Sequence, residues 1–257
     1  TGFGNTFLGF EAGKLITDSD NMVVIGRQAA NASASGGDRT VAIGYDAHGS
    51  SISTDCVAVG YAASQFSGAG FNIAIGSSAA LFNSGANSTS IGYQTNYSNT
   101  AAGSVSIGYL AGRSQTSGTK NTYVGFEAGN TGTTGTSNTS LGYQAGYNQA
   151  AGFQNTFLGA DVANNMTNTA SGNPSNNVYI GYRAMGFTTT GFHFGQNIAI
   201  GFQAMYTNGA TERCIAIGYD CLNAANTGDY NTALGGIIHT GDIITGDNNV
   251  LIGYDAS

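Results

Sequence analysis

The chain has 257 residues, of which 41 are glycine, one is proline and none is tryptophan, and only 8% are charged. Soluble globular domains carry about 25% charged residues, so this surface has to be built from Asn, Thr, Ser, Gln and Gly, and an ordinary globule is excluded. The net charge of −7 comes from 14 acids and seven bases scattered along the chain, which excludes the basic stripe of a nucleic-acid binder, while 41% hydrophobic residues exclude disorder.

In chain order, the sequence is one element repeated. A five-residue unit of the form Asn/Ser/Thr/Cys, β-branched, any, aliphatic, Gly recurs fifteen times, with Met22 alone departing at the first position. Its aliphatic residue is Leu8, Ile25, Ile43, Val59, Ile75, Ile91, Ile107, Val124, Leu141, Leu158, Ile180, Ile200, Ile217, Leu234 and Ile252. Its glycine is Gly9, Gly26, Gly44, Gly60, Gly76, Gly92, Gly108, Gly125, Gly142, Gly159, Gly181, Gly201, Gly218, Gly235 and Gly253. The glycines are 16 to 18 residues apart except for steps of 22 into Gly181 and 20 into Gly201, which places loop insertions at about 163–177 and 185–196.

The residue after the glycine is Tyr or Phe in eleven copies, and the third after it is Ala in eleven. The β-branched, aliphatic, aromatic and Ala columns share one parity, the mark of a half-buried strand, and the aliphatic column is expected to be the core ladder. A repeat of this length is too short for helix pairs and suits one β-solenoid coil. The expected fold is therefore all-β: a single repeat domain over 1–257, a parallel β-solenoid (β-roll) of about 15 coils of 16–18 residues. Coils advancing by one strand spacing of about 4.8 Å would make a rod roughly 65 to 70 Å long. The glycine column fits a bend or close backbone packing that tolerates no Cβ. Segments such as 112–121 and 129–138 hold no large apolar residue, so many coils offer one apolar strand, and the uncovered face or ends call for partner chains.

The motifs NTFLGFEAG (5–13), NTYVGFEAG (121–129), NTSLGYQAG (138–146) and NIAIGFQAM (197–205) resemble repeats of phage tail-fibre-like proteins. TVAIGYDA (40–47), SVSIGYLAG (104–112) and CIAIGYDC (214–221) resemble head repeats of trimeric autotransporter adhesins. The second resemblance implies a left-handed β-roll with three chains to a head, and both imply an extracellular, cell-surface or virion location. The sequence begins at Thr1 and the repeat pattern runs to both ends, so a fragment or processed product is expected.

Residues capable of chemistry are few and dispersed. His48, His193 and His239 have no second histidine or cysteine at ligand spacing, and Glu11, Asp46, Glu127, Asp161, Asp220 and Asp255 recur two residues after the glycine as a solvated ladder. No catalytic residue, metal or cofactor is expected. Cys56, Cys214 and Cys221 are expected as free thiols by default: the equivalent Cys56 and Cys214 stand too many coils apart to bridge, and the alternative, a Cys214–Cys221 bridge, would have to span a coil. Sequons occur at Asn31, Asn87, Asn96, Asn138 and Asn165. The aromatic column reads as core or interchain stacking rather than as a sugar-binding stripe, and the irregular segments 163–177 and 185–196 suit glycan contact better than it does.

The expected function is a structural and adhesive fibre module that spaces or presents binding surfaces. Its partners would be copies of itself, as a trimer or a head-to-tail filament, and cell-surface glycans or a host receptor, with no nucleic acid and no direct membrane insertion. The alternative is a carbohydrate-active β-solenoid enzyme, a polysaccharide lyase or hydrolase, which would need carboxylates clustered across adjacent coils.

Overall fold

The structure is a computed structural model that describes residues 2–31, 37–50, 53–149, 151–166, 174–186, 195–207, 211–223, 228–238 and 246–256. The two expected insertions are seen only at their edges, because 167–173 and 187–194 lie outside the described residues. The chain is all-β, with fifteen parallel three-residue strands and no helix among the described residues.

It divides into two compact units, Thr1–Val124 and Gly125–Ser257. The first holds β1 (Thr6–Leu8), β2 (Val23–Ile25), β3 (Val41–Ile43), β4 (Val57–Val59), β5 (Ile73–Ile75), β6 (Thr89–Ile91), β7 (Val105–Ile107) and β8 (Thr122–Val124). The second holds β9 (Thr139–Leu141), β10 (Thr156–Leu158), β11 (Val178–Ile180), β12 (Ile198–Ile200), β13 (Ile215–Ile217), β14 (Thr232–Leu234) and β15 (Val250–Ile252). Each unit is a parallel β-solenoid to which every repeat contributes one strand, and each strand pairs with the next at repeat-equivalent positions, as in Thr6 with Val23 and Leu8 with Ile25.

The strand direction ends at the repeat glycine for a steric reason. These glycines hold φ between +126° and +144°, a region closed to side chains. A Cβ on Gly92 would stand 2.1 Å from the carbonyl oxygen of Gly108 in the next coil. Two and four residues later the chain enters the left-handed region even without glycine, as at Gln28 (φ 58°) and Ala30 (φ 46°). These residues turn successive amides to opposite neighbours. Gln28 N donates to the Phe10 carbonyl of the previous coil at 2.9 Å, and Ala30 N to Ala47 of the following coil at 2.9 Å. The turn thus continues the hydrogen-bond ladder, which offsets the 1–3 kcal/mol that such conformations cost.

The same turn overturns the expected orientation of the core ladder. The aliphatic residues do stack on their equivalents, but they lie on the outer face: Leu8 is 65% exposed, Leu141 43% and Ile252 69%, while others such as Ile107 are half-buried. What faces inward is the strand's central residue, the position that reads as variable: Val24, Ala42, Ala58, Ala74, Ser90, Ser106, Tyr123, Ser140, Phe157, Tyr179, Ala199, Ala216 and Ala233 are all buried. The Ala column is buried too, apart from the half-buried Ala12 and Ala256, so the shared parity breaks between the strand and Ala. Alternation of faces holds only in extended chain, and the glycine and the left-handed residue after it end the extension.

Inside, volume is traded between the central strand residue and the residue four past the preceding glycine. A Cβ on Gly146 would lie 2.9 Å from the Phe157 ring, and one on Gly112 2.8 Å from that of Tyr123. Where the strand centre is Ala199, Ala216 or Ala233, the compensating residue is Met185, Met205 or Leu222, all buried in the same cluster. The head of each motif is also internal. Asn155 Nδ2 donates to Asn138 Oδ1 (3.0 Å) and to the Pro174 carbonyl (2.8 Å), and Asn177 repeats the bond on Asn155 (3.0 Å). This asparagine ladder satisfies buried backbone groups of the turn, which would otherwise each cost about 1–3 kcal/mol.

Candidate functional site

Three residues per repeat point outward from the strand and the turn that follows: the β-branched, the aliphatic and the aromatic. Across both units these columns are uncharged except at Arg27. The aromatic column, expected as core or as interchain stacking, is on the surface and stacks along the chain. Tyr45 and Tyr61 lie 5.6 Å apart at 7°, Tyr93 and Tyr109 5.3 Å at 12°, and Phe202 and Tyr219 5.1 Å at 7°. Arg27 fills an aromatic place, its guanidinium 6.0 Å from Phe10 and 5.6 Å from Tyr45. Within each unit, an apolar face of this kind marks an association surface.

No two acids two residues past the glycine stand in consecutive coils, and amide side chains bond several of them. Gln28 donates to Glu11 (3.1 Å), Gln144 to Glu127 (2.7 Å) and Asn164 to Asp161 (3.1 Å). Lys14 and Gln28 hold the Glu11 carboxyl below its ordinary value. Among the described residues no three His, Cys, Asp or Glu side chains converge.

His48 is buried, its Nε2 accepting the Ser53 amide at 3.0 Å, and burial pushes its pKa down to about 4, so it is neutral. His193 and His239 lie outside the described residues. Cys56, Cys214 and Cys221 are buried free thiols, and burial pushes Cys214 and Cys221 up to about 11, which keeps them protonated and inert. Of the sequons, Asn96 and Asn138 are interior residues bonded to neighbouring coils, whereas Asn87 is exposed and Asn31 and Asn165 are half-buried.

The second unit carries a surface groove of about 460 Å³ lined by Tyr143, Gln144, Asn148, Asp161, Asn164, Asn165, Arg183, Gly186 and Tyr206. Stacking assembles it, because Gln144, Asp161 and Arg183 are the same repeat position in three consecutive coils. Arg183 Nε stands 3.7 Å from Asp161 Oδ2, and its guanidinium lies 6.0 Å from the Tyr206 ring. Asn164 Nδ2 reaches both Asp161 Oδ1 and Gln144 Oε1 at 3.1 Å, and Asn148 Nδ2 reaches Asn165 Oδ1 at 3.3 Å. Gly186 makes room for the Tyr206 ring, because a Cβ there would lie 2.2 Å from its Cε2 with the ring where it stands.

Asn164, Asn165 and Gly186 belong to the two irregular segments that the sequence sets apart as insertions. Tyr206 and Asn148 were not legible as site residues. Arg183 left a signal, as the sole cation in its column. The groove presents one carboxylate, whereas paired-carboxylate glycoside hydrolysis uses two. No helix among the described residues is long and apolar enough to cross a membrane. Comparison with protein-family models, curated proteins and solved structures returned no match.

Proposed function

We propose that the chain is a structural and adhesive fibre module, outside the cell or on a virion, that assembles with copies of itself through its outer apolar face. The observation carrying this reading is the uncharged ladder of Leu, Ile, Val, Thr and aromatic residues on that face. Because the ladder repeats at the strand spacing, a second copy carries the same period and fits it in register. Lateral association, with a trimer about a common axis preferred over a head-to-tail filament, covers the face along its length. The reading is non-enzymatic, supported by a groove with a single carboxylate and by inert buried thiols.

Light scattering of the purified chain tests it. A concentration-dependent mass that reaches three chains, with melting that falls on dilution, is the expected result. A monomer whose melting is independent of concentration would overturn the self-assembly reading.

A further inference from the structure

We propose that the groove of the second unit binds an uncharged saccharide, making it a distinct recognition site on the repeat scaffold. The inference rests on the adhesive half of the reading above and assigns that adhesion to a place. A pyranose offers an apolar face of C–H groups and a rim of vicinal hydroxyls, each able to donate and accept. The groove offers the counterpart of both. Tyr143, 50% exposed, and Tyr206, supported beneath by the bare backbone of Gly186, present aromatic rings for the apolar face. The same lining carries planar polar groups: the Asp161 carboxylate, the Arg183 guanidinium and the amides of Gln144, Asn148, Asn164 and Asn165.

The charge pattern selects the class of sugar. Asp161 and Arg183 are 3.7 Å apart and offset each other, so the lining has no net charge to attract an acidic or basic ligand. An acceptor and a donor at that separation suit two adjacent hydroxyls, one donating to Asp161 and the other accepting from Arg183. The lining is held in place before a ligand arrives, because Asn164 is fixed by Asp161 and Gln144 and Asn148 by Asn165. Preorganised polar groups lose little entropy on binding. This combination is confined to these coils, since Arg183 is the sole cation of its column.

The test is a printed array of neutral and acidic oligosaccharides probed with the intact chain, followed by calorimetric titration of the best neutral hit. The expected result is binding to neutral glycans, weakened at least tenfold in Tyr206→Ala, Asp161→Asn and Arg183→Gln, with unchanged β circular dichroism. Tyr45→Ala, a surface aromatic in the first unit, should leave the affinity intact. Absence of any neutral-glycan binding at millimolar ligand overturns the proposal, as does binding limited to acidic glycans or equal loss in Tyr45→Ala. The oligomeric mass, measured on the same samples, reports separately on self-assembly.

Discussion

The interior of the first unit around Ser90, Asn96 and Ser106 and that of the second around Gly146, Phe157 and Tyr179 occupy the same repeat positions, yet their chemistry is opposite. In the first, Asn96 Nδ2 donates to Ser90 Oγ (2.9 Å) and Ser106 Oγ donates to Asn96 Oδ1 (2.8 Å), a small polar network with no ring in it. In the second, Phe157 stacks on Tyr179 at 5.5 Å and 8° over the bare Gly146. The difference teaches that the backbone hydrogen-bond ladder and the glycine turn define the coil, while the interior need only be filled and its polar groups satisfied. That is why the central strand residue reads as variable in the sequence.

The largest expected effect tests the filled side of this comparison. Phe157→Ala leaves a cavity and should cost about 3–5 kcal/mol, read by urea unfolding of the purified chain. Adding Gly146→Met, which imitates the pairing of Met185 with Ala199, should recover roughly half of that loss by restoring volume. A double variant no more stable than Phe157→Ala alone would show that the two positions do not trade volume.

A second effect, of up to about 3 kcal/mol, comes from pH acting on His48 in the first unit. Its folded pKa of about 4 lies below the ordinary 6.5, so the unfolded chain binds the proton first. Stability is complete above about pH 6.5 and falls as pH drops towards 4. His48→Asn should flatten this dependence, because asparagine occupies the same left-handed position at Asn96 and can accept the Ser53 amide. Thermal melting between pH 4 and 7 provides the check, and an unchanged slope in the variant would assign the pH dependence to other groups.

The polar side of the comparison predicts a smaller loss. Ser106→Val removes the donor to Asn96 Oδ1 inside the coil and should cost about 1–3 kcal/mol despite the added apolar volume. A neutral or stabilising result would mean the network is dispensable. The smallest effect is expected next door at Ile107→Asp. On a half-buried outward position the change should cost the dilute chain less than about 1 kcal/mol while abolishing assembly in light scattering. If dilute stability collapses instead, the aliphatic column is internal after all.

The sequence alone determined the fifteen repeats, one strand in each, parallel pairing at equivalent positions and the need for glycine at each strand's end. These follow from local chemistry, since β-branched residues favour extended chain and only glycine can hold φ near +135° against the next coil. It also placed loop insertions at about 163–177 and 185–196, and Asn164, Asn165 and Gly186 from their described edges line the groove. The tertiary structure alone decided which face closes inward. A period-2 pattern is symmetric about the strand, and the direction is set by left-handed residues such as Gln28 and Ala30, whose identities do not announce that conformation. It likewise decided that His48 is buried, that Asn138 is an interior residue bonded to the next coil, and that Tyr143, Arg183 and Tyr206 share a groove. Those three residues are separated by whole coils in the chain, and only the stacking of the coils brings them onto one surface.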